Sequence, residues 1–97
     1  MSKGYVIAFV DVTDMNQYQA YMQHTPAIIA QYGGKFIVRG GRNEILEGEM
    51  PQLRMVAMEF PSYEAAVAFY KSDEYTAAKA VRAGAATATF IALEGLE

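Results

Sequence analysis

From Tyr5 to Val10 the chain is apolar at every position, with β-branched or aromatic side chains at most of them, which predicts a first strand. Its two alternating sets, Tyr5/Ile7/Phe9 and Val6/Ala8/Val10, are both apolar, whereas a strand covered on one side only would alternate with polar residues. Both faces of its sheet are therefore expected to be covered. Asp14 is a plausible N-cap, and Met15, Tyr18, Met22, Thr25, Ile29 and Tyr32 follow at spacings of three and four, one face of a helix. Pro26 is expected to interrupt that helix, with Thr25-Pro26 as an alternative N-cap and first position of a restarted one. Gly33-Gly34 ends it.

Lys35 to Arg39 reads as a second strand, broken by Gly40-Gly41. Glu44 to Glu47 reads as a short extra strand before the loop Gly48-Glu49-Met50-Pro51, and Arg54 to Phe60 as the third long strand. Ser62 caps a helix through Tyr70, with Tyr63, Ala66, Val67 and Tyr70 expected on its inner face. Ser72 caps a further helical segment, Asp73 to Ala83, with two acids in its first turn where the macrodipole favours them. Thr87 to Glu94 is the last strand, and again neither of its alternating sets is fully polar. The order strand, helix, strand, strand, helix, strand predicts an α+β, ferredoxin-like βαββαβ domain over residues 1–97, an antiparallel sheet with helices on one face. The other face is then bare and apolar. A second copy of the same sheet, packed face to face about a two-fold axis, covers it, so a homodimer of the dimeric α/β barrel kind is expected.

Composition sharpens this expectation. At 97 residues and 53% hydrophobic, the chain is short enough to bury only roughly 60–65% of its unfolded surface, yet richer in apolar residues than ordinary soluble domains. The net charge is −3 and the eight basic residues are scattered, which argues against a nucleic-acid partner. No apolar run approaches the ~18–20 residues of a membrane span. The Met-Ser-Lys-Gly start carries no signal-peptide pattern, and there is no cysteine, so a cytoplasmic location is expected.

The candidate chemistry is sparse. His24 is the only histidine and so the natural general base near neutral pH, set against the plainer reading of a surface histidine near a kink. One histidine and no cysteine make a metal site improbable, and no cofactor is expected. Arg39 could hold a carboxylate or enolate with its planar fork, or pair with Glu47 or Glu59; Arg82 faces the same choice, with a structural ion pair preferred. Gly40-Gly41 and Gly33-Gly34 lack the spacing of a phosphate loop, and turn and cap geometry accounts for them. Tyr18, Tyr21, Tyr63, Tyr70 and Tyr75 would build an aromatic pocket or simply pack the core and dimer. Glu47 and Glu59 are weak candidates for a proton-transfer pair, and the six methionines read as core filling.

Several motifs carry a family resemblance over almost the whole chain: Gly33-Gly34-Lys35-Phe36, Arg39-Gly40-Gly41, Glu47-Gly48, Glu59-Phe60-Pro61-Ser62, and Tyr70, Ser72, Glu74 and Tyr75. Together with Tyr18, Tyr21, Arg82 and Glu94-Gly95, they resemble domain-of-unknown-function family 1330. Val6 departs from its pattern where a larger aromatic is common, and Phe9 where a polar or basic residue often occurs, which implies a more apolar pocket if the first strand lines one. The resemblance implies a dimeric α/β barrel, a superfamily that includes monooxygenases of aromatic substrates and lactone isomerases. Tyr18, Tyr21, Arg39, Tyr70, Ser72, Tyr75 and Arg82 are the ligand-binding candidates for a small anionic or aromatic molecule, and His24, Glu47 or Glu59 would move a proton, although the family pattern does not reinforce His24. The leading expectation is a small-molecule-binding protein or cofactor-independent enzyme; the alternative is a structural or stress-associated homodimer without chemistry.

Overall fold

The apolar run at the N-terminus forms β1 (Gly4–Val12) in a computed structural model that describes residues 2–51 and 53–97. Then follow α1 (Met15–Gln31), β2 (Lys35–Arg39), β3 (Arg54–Phe60), α2 (Tyr63–Lys71), α3 (Asp73–Val81) and β4 (Ala86–Glu94). The strands form one antiparallel sheet in the order β2-β3-β1-β4. This is the α+β, ferredoxin-like βαββαβ fold expected from the strand and helix pattern, with the second helical segment divided in two at Ser72.

The register settles which residues share a face. Val6, Ala8 and Val10 on β1 pair with Met58, Val56 and Arg54 on β3 and with Ala92, Phe90 and Ala88 on β4, and this face lies under the helices. Phe60, Phe69 and Tyr75 form its densest part, with ring centroids 4.8–5.2 Å apart along the series. The opposite face carries Tyr5, Ile7, Phe9, Met55, Ala57, Thr89, Ile91 and Leu93. No helix covers it, and Ile91 and Leu93 are 43% and 45% exposed. With helices on one side only, the domain measures 37 × 35 × 17 Å.

Local signals account for the element ends. Asp14 caps α1 by accepting from the Gln17 amide at 3.2 Å. Gly33 closes α1 at φ +76°, left-handed backbone that side chains with a Cβ adopt at a cost. The Ser72 hydroxyl accepts from the Tyr75 amide at 3.0 Å and donates to the Phe69 carbonyl at 2.7 Å, so one buried side chain both caps α3 and closes α2. The Gln17 side chain donates to the Val81 and Ala83 carbonyls at 3.0 and 2.8 Å, tying the start of α1 to the end of α3.

Three expectations need correction. α1 does not break at Pro26 but runs through it. Residues 44–47 form no strand; they lie in an exposed loop without ladder partners. Tyr63 is exposed at the first position of α2, whose inner face is built from Ala66 and Phe69. A single-sided apolar stripe on so short a helix is decided by the tilt at which it meets the sheet, which spacing alone leaves open.

Phe69 touches Tyr32, Phe60 and Tyr75 at once. Phe69→Ala is therefore expected to lower the unfolding free energy by about 3–5 kcal/mol, read as a shifted urea midpoint with an unchanged slope.

Candidate functional site

A cleft opens between α1 and the covered face of the sheet, lined by Tyr18, Tyr21, Met22 and Thr25 from α1 and by strand residues that include Phe36, Arg39, Arg54 and Phe90. Its envelope is about 360 Å³, but the part a water molecule can occupy is only about 20 Å³, room for about one water. The wall is mostly hydrocarbon and ring, with the polarity concentrated in two guanidinium groups, two phenol hydroxyls and the Thr25 hydroxyl.

Arg39 reaches this cleft because β2 is irregular. Strict alternation would send Arg39 and Phe36 to opposite faces, but the register shifts between Phe36 and Val38, so that Phe36 pairs with Met58 and Arg39 with Val56, both inward positions. The guanidinium then stacks on the Phe36 ring at 4.2 Å and donates to the Met22 carbonyl at 2.8 Å. Neither expected ion pair forms among the described residues. Glu47 is in the exposed loop, and Glu59 sits on the bare face beside Lys3 and Lys35 at 3.2 and 3.8 Å.

Arg54 was not among the sequence candidates, although a signal was present: it lies in phase with Val56, Met58 and Phe60, an arginine on the buried side of a strand. Its guanidinium carbon lies 6.0 Å from the centre of the Tyr18 ring, and its Nε has no hydrogen-bond partner among the described residues. Gly40 makes room for it. A Cβ there would run into the Arg54 guanidinium, and the backbone stands at φ +71°, so Gly40 answers to the site as well as to the turn.

Behind the cleft wall lies a second polar layer. The Tyr21 and Tyr75 hydroxyls are hydrogen-bonded at 2.7 Å, and Arg82 approaches the Tyr75 hydroxyl at 3.5 Å. Arg82 is 93% buried, taking its 7% exposure, and packs 5.3 Å from the centres of the Tyr21 and Phe90 rings. It makes no ion pair among the described residues, and its Nε is unpartnered; the expected structural ion pair is replaced by rings and a phenol oxygen. Burial pushes the Tyr18 and Tyr21 hydroxyls above the usual phenol range, and for Tyr21 the neighbouring Tyr75 adds to the rise. Both are neutral hydroxyls at physiological pH.

The remaining candidates lie elsewhere. Tyr70 accepts from Lys79 at 3.0 Å and lines a separate groove between α2 and β4 with Val6. The Ser72 hydroxyl is engaged by backbone at the α2–α3 corner. His24 is exposed on α1 and does not line the cleft. Glu59 is held below the usual carboxylate range, chiefly by the Lys3 hydrogen bond, but on the bare face. Phe9 also points to that face, so β1 contributes Ala8 and Val10 to the cleft instead. Among the described residues no three His, Asp or Glu side chains cluster as metal ligands, and no helix is long and apolar enough to cross a membrane.

A family model described as a domain of unknown function (DUF1330) matches residues 3–96. The chain belongs to that family. No curated protein matches. Among solved structures, a protein of unknown function from Rhodopseudomonas palustris is 22% identical with a TM-score of 0.75, covering 99% of this chain and 84% of that one. A cofactor-independent oxygenase from Streptomyces nogalater is 10% identical with a TM-score of 0.64, covering 100% and 96%. A dimeric ferredoxin-like protein of unknown function from Thermobifida fusca is 15% identical with a TM-score of 0.51, covering 95% and 92%. At these identities the likeness is one of fold alone.

Two predictions follow the geometry. Gly40→Ala should cost about 1–2 kcal/mol from the left-handed backbone alone, and in a crystal structure of the variant the Arg54 guanidinium should be displaced. Because Tyr18 and Tyr21 ionise above the ordinary phenol value of 10.0 only in the folded state, their contribution to stability is complete below pH 10 and is lost as the pH rises beyond it. Ultraviolet titration should therefore show part of the tyrosinate signal appearing only together with alkaline unfolding.

Proposed function

We propose that this DUF1330 chain binds a small organic anion in the cleft and works as a homodimer paired through the bare sheet face. The observation that carries the ligand reading is a set of three guanidinium groups around one apolar cleft with no carboxylate in its wall. Arg39 and Arg54 line it, and Arg82 stands behind Tyr21 and Phe90. Arg82 is buried, Arg54 half-buried and Arg39 exposed; positive charge left without a counter-charge at the first two is unfavourable, and an anionic ligand offsets it. A carboxylate or enolate oxygen would meet Arg39 and Arg54, while a flat apolar body would lie against Tyr18, Phe36 and Phe90. With only about one water's room, entry requires a lining side chain such as that of Met22, long and unbranched, to move aside.

As an enzyme, the chain would be cofactor-independent and monooxygenase- or isomerase-like, with the arginines and the neutral Tyr18 and Tyr21 hydroxyls stabilising charge that develops on a substrate oxygen. None of His24, Glu47 and Glu59 lines the cleft, so oxyanion stabilisation, not general-base catalysis by those groups, is what the cleft supports. The small free volume favours a second reading, a homodimer without chemistry. Pairing is supported by the unbroken apolar row Val38, Ala57, Ile7 and Ile91 across all four strands of the bare face. Stable partners bury roughly 800 Å² each.

Salicylate and benzoate, titrated against the protein by NMR, should shift cleft resonances of Tyr18, Tyr21 and Phe36. Arg39→Ala and Arg54→Ala should each weaken binding about tenfold, the scale of one charged hydrogen bond, whereas His24→Ala should change nothing. Absence of binding to these and to aliphatic carboxylates leaves the structural homodimer as the reading. In sedimentation at micromolar concentration the protein should run as a dimer, and Ile91→Lys should run as a monomer; a wild-type monomer overturns the pairing.

A further inference from the structure

We infer that Pro26 is a positioning residue: by having no N–H to give, it leaves the Met22 carbonyl to orient the Arg39 guanidinium at the rim of the cleft. The inference rests on the anion reading above and adds to it the means by which one of the two lining arginines is aimed.

In an α-helix the amide of residue 26 would bond to the carbonyl of residue 22. α1 is continuous from Met15 to Gln31 with Pro26 inside it, so that bond is missing from an otherwise regular ladder. An interior proline weakens a helix, and Pro26 is exposed, so packing does not compensate for it. The freed carbonyl is nonetheless used. Arg39 Nη2 donates to it at 2.8 Å and Thr25 Oγ1 at 3.3 Å. Met22, Thr25 and Arg39 all line the cleft. A backbone carbonyl has two lone pairs, and with no amide at residue 26 to take one, they are left to Thr25 Oγ1 and Arg39 Nη2.

The anchor matters because Arg39 is otherwise an exposed side chain at a strand end, free to sample many rotamers. One N–H bonded to the Met22 carbonyl and one face stacked on Phe36 at 4.2 Å hold the plane of the guanidinium and leave its other donors for a ligand. Ordering the group before binding removes that entropy cost from the binding step.

The test compares Pro26→Ala and Pro26→Ser with wild type in the full chain; both restore an N–H at an exposed site. Thermal unfolding midpoints should rise by at least about 4 °C, while salicylate affinity falls about fivefold, the loss expected for one hydrogen bond. NMR of the Arg39 guanidinium supplies a readout independent of any ligand: hindered rotation in wild type should become fast in both variants. Unchanged Arg39 rotation, or salicylate affinity equal to wild type, overturns the inference. If wild type binds no carboxylate at all, the ligand reading falls, and the Arg39 rotation alone decides whether Pro26 positions it.

Discussion

A four-stranded sheet with every helix on one side must do two unlike things with its two faces, and most features of this protein descend from that division. β1 carries the division most plainly, with Val6, Ala8 and Val10 under the helices and Tyr5, Ile7 and Phe9 on the bare side. The covered side of β1 packs against α2, and the ring series Phe60, Phe69 and Tyr75 adds to the same layer. The bare side repeats the apolar character of a core without a layer to complete it. Burial of apolar area is the dominant favourable term in a domain this small, so the uncovered face is the feature that most strongly constrains how the molecule exists in solution.

Within the covered layer, charge is distributed against the grain of the whole chain. The protein is net acidic, yet the cleft and the layer behind it contain arginines and tyrosines and, among the described residues, no lining carboxylate. Arg82 is accommodated by the faces of Tyr21 and Phe90 and the Tyr75 oxygen, and Arg54 by the space that Gly40 leaves empty. Such arrangements are expensive relative to an apolar core of the same volume. Against a marginal stability of about 5–15 kcal/mol that cost is substantial, and it falls on the cleft and the layer behind it rather than on the exposed His24.

Much of the architecture was legible in the residues. Strand runs of β-branched and aromatic side chains, the Asp14 and Ser72 caps and the Gly33 stop all act within a few residues of themselves, and each appears where local rules put it. The candidate site was legible only in pieces. Tyr18, Tyr21 and Arg39 come to one cleft and Tyr75 and Arg82 to the layer behind it, whereas Tyr70 and Ser72 serve the α2–β4 groove and the helix corner. Glu47 and Glu59 could not be placed relative to each other from spacing, because one sits in an exposed loop and the other on a face turned away from the helices. Arg54 was overlooked because an arginine at a strand end reads as solvated until its phase with Val56, Met58 and Phe60 is taken into account.

Periodicity, capping and composition, which a linear reading contains, carried the order of the main elements, the two-sided apolar sheet and the family pattern, though not the loop at residues 44–47, which reads as a strand. Only the tertiary structure decided that α1 continues through Pro26, that the irregularity in β2 turns Arg39 inward beside Phe36, and that Gly40 yields its space to Arg54. The reason is common to all three. Each outcome depends on what a distant element does with a group that the local chain leaves open: a carbonyl without its helical donor, a strand residue without fixed phase, and a backbone without a Cβ.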